Sequence, residues 1–184
     1  MTPETTPKGN RTRTAIVETA HDLFIRQGYH GTSMRQLAKE TGIALGGIYN
    51  HFSSKEDIFR AVFFENHPYL EMIPAIEAAH GDTIEELVHD AANQMLAAIE
   101  RKPGFLNLMF IEIVEFESVH THELFETTFP RGMQIVQRIA DAEGSLRPIP
   151  AAMVIRAFIG MFFSHHLAEI IIGAAAPPEF HENA

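Results

Sequence analysis

A chain of 184 residues is long enough to bury a sizeable core in one or two small domains. It contains no cysteine, which excludes disulfides, thiolate nucleophiles and cysteine-based zinc sites. The net charge of −10 is unevenly divided: residues 1–64 hold eight Lys and Arg against six Asp and Glu, so a body of −12 carries a head of +2, a split that suits a protein meeting a polyanion such as DNA in one orientation.

Residues 1–10 are polar, with Pro3 and Pro7 and no apolar stretch. They read as a disordered arm and not a secretory signal, which points to a cytoplasmic protein. A first helix is expected from about Arg11 to Gln27, because Ile16, Ala20, Leu23 and Phe24 recur at i, i+4, i+7, i+8 and Gly28 occupies a stop position. Arg11 and Arg13 lie at its N-terminal end, where the helix dipole disfavours cations. A nearby phosphate would reverse that penalty, though a solvated basic tail explains each arginine as well.

Residues 31–55, GTSMRQLAKETGIALGGIYNHFSSK, describe two short helices about a glycine turn. Thr32 or Ser33 can cap the first, and Met34, Leu37 and Ala38 form its apolar stripe, leaving Arg35, Gln36 and Lys39 outside. Gly42 stands where a C-terminal cap needs a left-handed residue. Ile43 and Ile48 can close onto the first helix, and two helices set steeply across such a turn form a helix-turn-helix. The second helix, about Leu45 to Phe52, carries Gly46 and Gly47, each costing a helix about 1 kcal/mol relative to alanine. Close backbone approach of a DNA phosphate or groove edge would account for them; the alternative is a poorly formed loop.

Beyond it, Ser53-Ser54-Lys55-Glu56 reads as a capping box with serine first and glutamate three residues on, opening a helix with Ile58, Phe59, Val62 and Phe63 inward. Pro68 ends or kinks that helix, Pro74 and Gly81 bound a second short piece, and a domain boundary is expected near 64–68. Asp82 to Glu85 is another capping box, before a helix with Ile84, Leu87, Val88, Ala91, Met95, Ala98 and Ile99 on one face. Pro103 suits a first helical position. From Phe105 to Phe116 the chain is apolar nearly all round, as in a buried helix or a pocket wall, interrupted by Glu112 and Glu115. Phe125–Glu143 and Ala151–Gly173 complete an all-α chain. The latter is long enough for a membrane span, but Arg156, His165, His166 and Glu169 are costly in hydrocarbon. Burial against its own domain and a partner subunit fits better, giving a homodimer with a four-helix interface. The expected organisation is therefore an arm (1–10), a three-helix head with the helix-turn-helix (11–64) and a helical body (65–184).

Eleven histidines raise a metal site, yet His120-Thr-His122 and His165-His166 lack the i, i+4 spacing that aims two rings at one ion from a helix. Structural or solvent histidines explain them better, and no metal or cofactor is expected. Neither GxSxG, HExxH nor a P-loop is present. A small helical enzyme lacks a visible catalytic constellation. A protein-binding helical scaffold leaves Gly46-Gly47 and Tyr49-Asn50-His51 unexplained.

From about Thr12 to Phe63, and most specifically through Ile48-Tyr49-Asn50-His51-Phe52-Ser53-Ser54-Lys55-Glu56, the chain resembles the DNA-binding domain of the TetR (tetracycline-repressor) family of bacterial transcriptional regulators. It departs from the family at Ala44, where a serine or threonine usually caps the recognition helix, and at Gly47, usually threonine or alanine. The resemblance implies a repressor released from a near-palindromic operator by a small-molecule effector, dimerising through its last two helices. It places phosphate contacts on Thr32, Ser33, Tyr49, His51 and Lys55, with Leu45, Gly46, Gly47 and Asn50 facing base edges and Arg35 reaching a guanine or a phosphate. Tyr49 and His51 have an alternative as packing residues at the base of the motif. An effector pocket would draw on Met95, Met109, Phe110, Ile113, Phe116 and Phe162, although such a stripe serves equally as core. Glu112 or Glu115 pointing inward would favour a cationic or hydrogen-bonding ligand.

Overall fold

The computed structural model describes residues 8–102, 104–141 and 150–175, and every regular element within them is helical. The first, α1 (Lys8–Gly31), begins earlier than expected, so Lys8, Gly9 and Asn10 are helix and not arm; residues 1–7 lie outside the described residues. The stop expected at Gly28 is a kink, with φ 77° and ψ 172°. Its inward positions Ile16, Ala20, Leu23 and Phe24 are all buried.

Two short helices follow, α2 (Met34–Thr41) and α3 (Leu45–Tyr49). Ser33, not Thr32, caps α2: its Oγ accepts from the Gln36 N–H at 3.2 Å. Gly42 ends α2 at φ 67°, its N–H donating to the Lys39 carbonyl, a conformation open to glycine at no steric cost.

For α4 (Lys55–Asn66) the cap falls one residue later than expected. Ser54 Oγ accepts from the Asp57 N–H, and the Asp57 carboxylate reaches back to the Ser53 N–H at 3.0 Å. That bonding, led by the Ser53 hydroxyl, holds the Asp57 carboxyl below its ordinary range. The same shift recurs at α6 (Ile84–Glu100), where Thr83 and Glu86 form the reciprocal pair. In both places two adjacent residues offer a capping oxygen, and the sequence pattern is satisfied in either register. Pro68 stands at the N-cap of α5 (Tyr69–Glu77), and Pro74 lies inside that helix, not at its edge.

The body continues as α7 (Phe105–Glu115), α8 (Val119–Asp141) and α9 (Ala151–Ile172), with a closing 3-10 turn at Gly173–Ala175. Helix α8 starts six residues before the expected Phe125, and Pro103 and the end expected at Glu143 lie outside the described residues. On α6, Leu87, Ala91, Met95 and Ala98 are buried as expected. The side chains of Ile84 and Ile99 are outside the described set. Helix α7 is not enclosed. It buries Phe105, Leu106, Leu108 and Met109 but leaves Phe110, Ile113 and Val114 exposed, because it lies on α1 and α8 with one face only. Among the described residues no helix is long and apolar enough to cross a membrane.

Head and body share one core. A continuous cluster runs from Ile16, Leu37 and Ile48 through Phe59 and Phe63 to Met95, Phe105, Met109 and Leu124. Packed against it, the half-buried Phe116 at the end of α7 stacks on Phe59 at 4.5 Å and meets the Tyr29 ring edge-on at 4.8 Å. Full burial of a phenylalanine contributes about 2–3 kcal/mol, and each ring pair about 0.5–1.5 kcal/mol more. The boundary expected near 64–68 therefore marks a change of helix, not a gap between two cores.

Candidate nucleic-acid interface

Helix α3 is held by one side. Ile48 is fully buried against Leu37 of α2 and the α1–α4 core, with Met34, Ala38 and Ile43 half-buried around it. At 100° per residue, Gly46 and Asn50 then lie opposite Ile48, at the centre of the outward face, with Leu45 and Tyr49 along one flank. Asn50 and Tyr49 are exposed, Tyr49 at 50%, so the packing alternative for Tyr49 does not hold. His51 is half-buried beside it. The expected helix to Phe52 is shorter as regular α-helix, but its last turn continues through His51 N–H to Ile48 O at 2.9 Å and Phe52 N–H to Ile48 O at 3.0 Å. Ala44 supplies no side-chain cap.

The two glycines differ. A Cβ on Gly46 would meet nothing within 4 Å, whereas one on Gly47 would stand 2.9 Å from Ile43 Cγ2. A side chain at Gly47 would have to displace that of Ile43, so the packing of α3 on its own turn accounts for this glycine without close approach to base edges. The open position is Gly46.

Two phosphate assignments are corrected. Thr32 is only 1% exposed, and its hydroxyl donates to the Gly28 carbonyl at 3.0 Å, closing the kink at the end of α1. Lys55 turns inward: Nζ donates to the Tyr29 and Thr32 carbonyls at 2.7 and 2.8 Å and sits 4.0 Å above the Tyr29 ring. A cation there meets carbonyls at the C-terminus of α1, where the dipole favours it. Burial lowers the Lys55 pKa from its ordinary value, and burial first, then Glu56 and Glu115, raises that of Tyr29. Ser33 remains exposed while capping α2.

Other basic residues of the head divide similarly. Arg13 pairs with Glu65 at 2.5 Å and lies over the Phe52 ring, and Arg60 holds Glu123 of α8. Among the described residues Arg11, Arg26, Arg35 and Lys39 are exposed and make no ion pair. Sequence reasoning missed the amide pair that fixes α2 to α1: Gln27 and Gln36 exchange bonds of 2.8 and 3.1 Å, and Gln27 also donates to the Gly31 carbonyl. Gln36 stands outside the apolar stripe of α2, and no spacing rule signals such a pair.

In the body the expected pocket residues do not converge. Met95 and Met109 are core, Phe110 and Ile113 point outward at 45% and 48% exposure, and Phe116 belongs to the head–body joint. The Phe162 side chain lies outside the described set. Glu112 is fully buried, yet it serves its own chain. Its Oε1 accepts the His120 and Thr121 N–H groups at 2.7 and 3.0 Å, and its Oε2 lies 2.8 Å from His120 Nδ1. The same residue's carbonyl accepts from Phe116 and Ser118, so Glu112 closes α7 with its backbone and opens α8 with its side chain. Between them Glu117 and Ser118 have positive φ, 51° and 66°. Glu115 pairs with His30 at the end of α1 at 2.5 Å. Neither carboxylate is left to favour a cationic ligand.

Comparison with known proteins accords with this geometry. The family model described as "Bacterial regulatory proteins, tetR family" matches residues 16–62. The HTH-type transcriptional regulator UidR of Escherichia coli K12 is 30% identical over 96 residues, 48% of this chain and 49% of that one. The chain thus spans about half the length of the curated relatives it matches. Among solved structures, the fatty acid degradation regulator FadR of Bacillus halodurans superposes with a TM-score of 0.72 at 16% identity, covering 95% of this chain and 89% of that one. AibR, in complex with isovaleryl coenzyme A and operator DNA, gives 0.60 at 20% identity, with 82% and 83% covered.

Proposed function

We propose that the chain, whose residues 16–62 match the tetR family of bacterial regulatory proteins, is a homodimeric repressor released from a near-palindromic operator by a small-molecule effector. The observation that carries the reading is the outward face of α3. It is held rigidly from behind by Ile48, is open over Gly46, and presents Tyr49 and Asn50 unburied. A recognition helix entering a major groove needs such a face. Ser33, Arg35 and His51 remain candidates for flanking contacts, Arg35 to a guanine or a phosphate.

Dimerisation through α8 and α9 is supported by apolar side chains left exposed there: Phe125 and Phe129 on α8, Met153, Met161 and Ile170 on α9. A twofold axis would make the operator a near-palindrome. An effector held in the 65–184 body can act only through a difference in affinity for two conformations. One available route to the head is the Phe116–Phe59–Tyr29 contact together with His30–Glu115. The complex of AibR with a coenzyme A thioester and operator DNA illustrates both ligands on this fold. An enzyme or a protein-only scaffold has no comparable support.

The test is selection of bound duplexes from a random pool at moderate salt, alongside mass spectrometry of small molecules that copurify. A recovered inverted repeat, with affinity lowered by the copurified compound, is the expected result. Failure to retain any duplex would refute the reading.

A further inference from the structure

Resting on that DNA-binding reading, we infer that Leu45 is a specificity-determining residue which reads the C5-methyl of a thymine, with Asn50 as the hydrogen-bonding reader of the same groove face. The first two positions of α3 are Leu45, on the flank that also carries Tyr49, and Gly46, on the outward face, and neither carries a side-chain donor or acceptor. Leu45 is half-buried and yet is absent from the apolar residues that pack on the core, unlike Met34, Ala38 and Ile43 beside it. Its side chain therefore lies off the shared core, on the flank where Tyr49 is exposed. Gly46, alongside, offers open space where a Cβ would be, so the helix can come close to a base edge at that point.

In the major groove the feature that an aliphatic side chain can recognise is the thymine methyl, whereas an asparagine reads adenine through N6 and N7. Three neighbouring polar side chains are already engaged. Gln36 is tied to Gln27, the Thr41 hydroxyl donates to the Leu37 carbonyl, and Lys55 is turned onto α1. Direct hydrogen-bonded readout by α3 thus falls to Asn50 and Tyr49, and the Leu45 end reads by apolar contact. Leu45 and Asn50 are five residues apart, about 7.5 Å along the helix, which places the thymine roughly two base pairs from the pair read by Asn50.

The experiment uses the full chain and the operator recovered by selection. Each thymine in one half-site, then in both, is replaced by deoxyuridine, which removes only the methyl. One position should lower affinity about fourfold per half-site, the value of one methyl transferred from water. Leu45→Ala should abolish the difference between thymine and uracil at that position, while Leu45→Met, still apolar and long, should keep most of it. Gly46→Ala should weaken both operators alike. Thermal melts of the variants confirm an intact head, as expected for a side chain off the core. If a sequence is selected but no thymine methyl matters, or if Leu45→Ala leaves the thymine-to-uracil ratio unchanged, the inference is overturned and the DNA-binding reading stands. If no duplex is retained, both fall.

Discussion

Removing the Glu112 carboxylate should be among the most damaging single changes to the body. Three donors converge on it within 3.0 Å, the His120 and Thr121 N–H groups and His120 Nδ1, and the side chain is fully buried. The two backbone N–H groups can only donate, so an acceptor oxygen must stand opposite them. Glu112→Ala leaves these donors unmet in a dry site, each costing about 1–3 kcal/mol, and takes a negative charge from the N-terminus of α8. The losses are not additive, and about 3–5 kcal/mol is the expected total for a broken buried pair. For a chain of this size that lowers the melting temperature by roughly 6–20 °C. Glu112→Gln is the control. Its carbonyl can keep both backbone bonds and its amide can donate to Nδ1 of the other histidine tautomer, so about 1–2 kcal/mol should be lost with the charge-assisted character. Urea unfolding at fixed protein concentration, read by circular dichroism, measures both. An alanine variant within about 1 kcal/mol of wild type, against the several expected of an unpaired buried cluster, would refute the reasoning.

Lys55→Met should destabilise the head by about 1.5 kcal/mol through the lost bonds to the Tyr29 and Thr32 carbonyls. The salt dependence of DNA binding should stay unchanged, because this ammonium faces α1 and releases no counterion from a phosphate; a slope reduced by about one unit in a salt titration would return Lys55 to the DNA. Gly47→Ala should miss the stabilisation of about 1 kcal/mol that a helical glycine usually yields, since its methyl meets Ile43 Cγ2 at 2.9 Å; a thermal melt showing the full gain would contradict this. Burial lowers the His67 pKa to about 3 from 6.5, so the folded ring stays neutral while the unfolded one takes a proton below pH 6.5. Stability should therefore be unaffected by His67 above pH 6.5 and fall by close to 1.4 kcal/mol per pH unit between 6.5 and about 3. Urea titrations of His67→Phe across that range should show a slope shallower by that amount; equal slopes would place a proton on the folded ring.

Helix positions in the head were legible because each was over-determined. Ile16, Ala20, Leu23 and Phe24 mark one face, Gly42 marks a turn, and Ile48 must face inward for the motif to close. What side chains do at the ends of those helices was not legible. Nothing in the order of residues distinguishes a lysine reaching outward to a phosphate from Lys55 folded back on the carbonyls of α1, since those carbonyls are 23 and 26 residues away in sequence. Thr32 and Ser33 are equivalent as caps until the kink at Gly28 brings one hydroxyl onto a carbonyl. The partner of Glu112 was not legible for a related reason. A lone acid in an apolar run signals burial with a partner, but the partner here is the first turn of a helix that composition placed six residues further on. The body pocket failed because periodicity counts apolar residues and cannot tell which face of α7 meets a neighbour.

The stack of Phe116 on Phe59, with Tyr29 set edge-on, also bears on how this chain can be divided and recombined. A chimera that grafts the first 64 residues onto a relative's body would carry half of an aromatic interlock and lose the other half. Phe59 would then face whatever ring or void the foreign body offers, and Tyr29 would lose the Phe116 ring against which it is set. The exchangeable unit is therefore larger than the helix-turn-helix. It includes the short stretch from Glu112 to His120, which is remote in sequence yet completes the floor of the head, and a graft that transplants this stretch together with the head should retain a native-like melt.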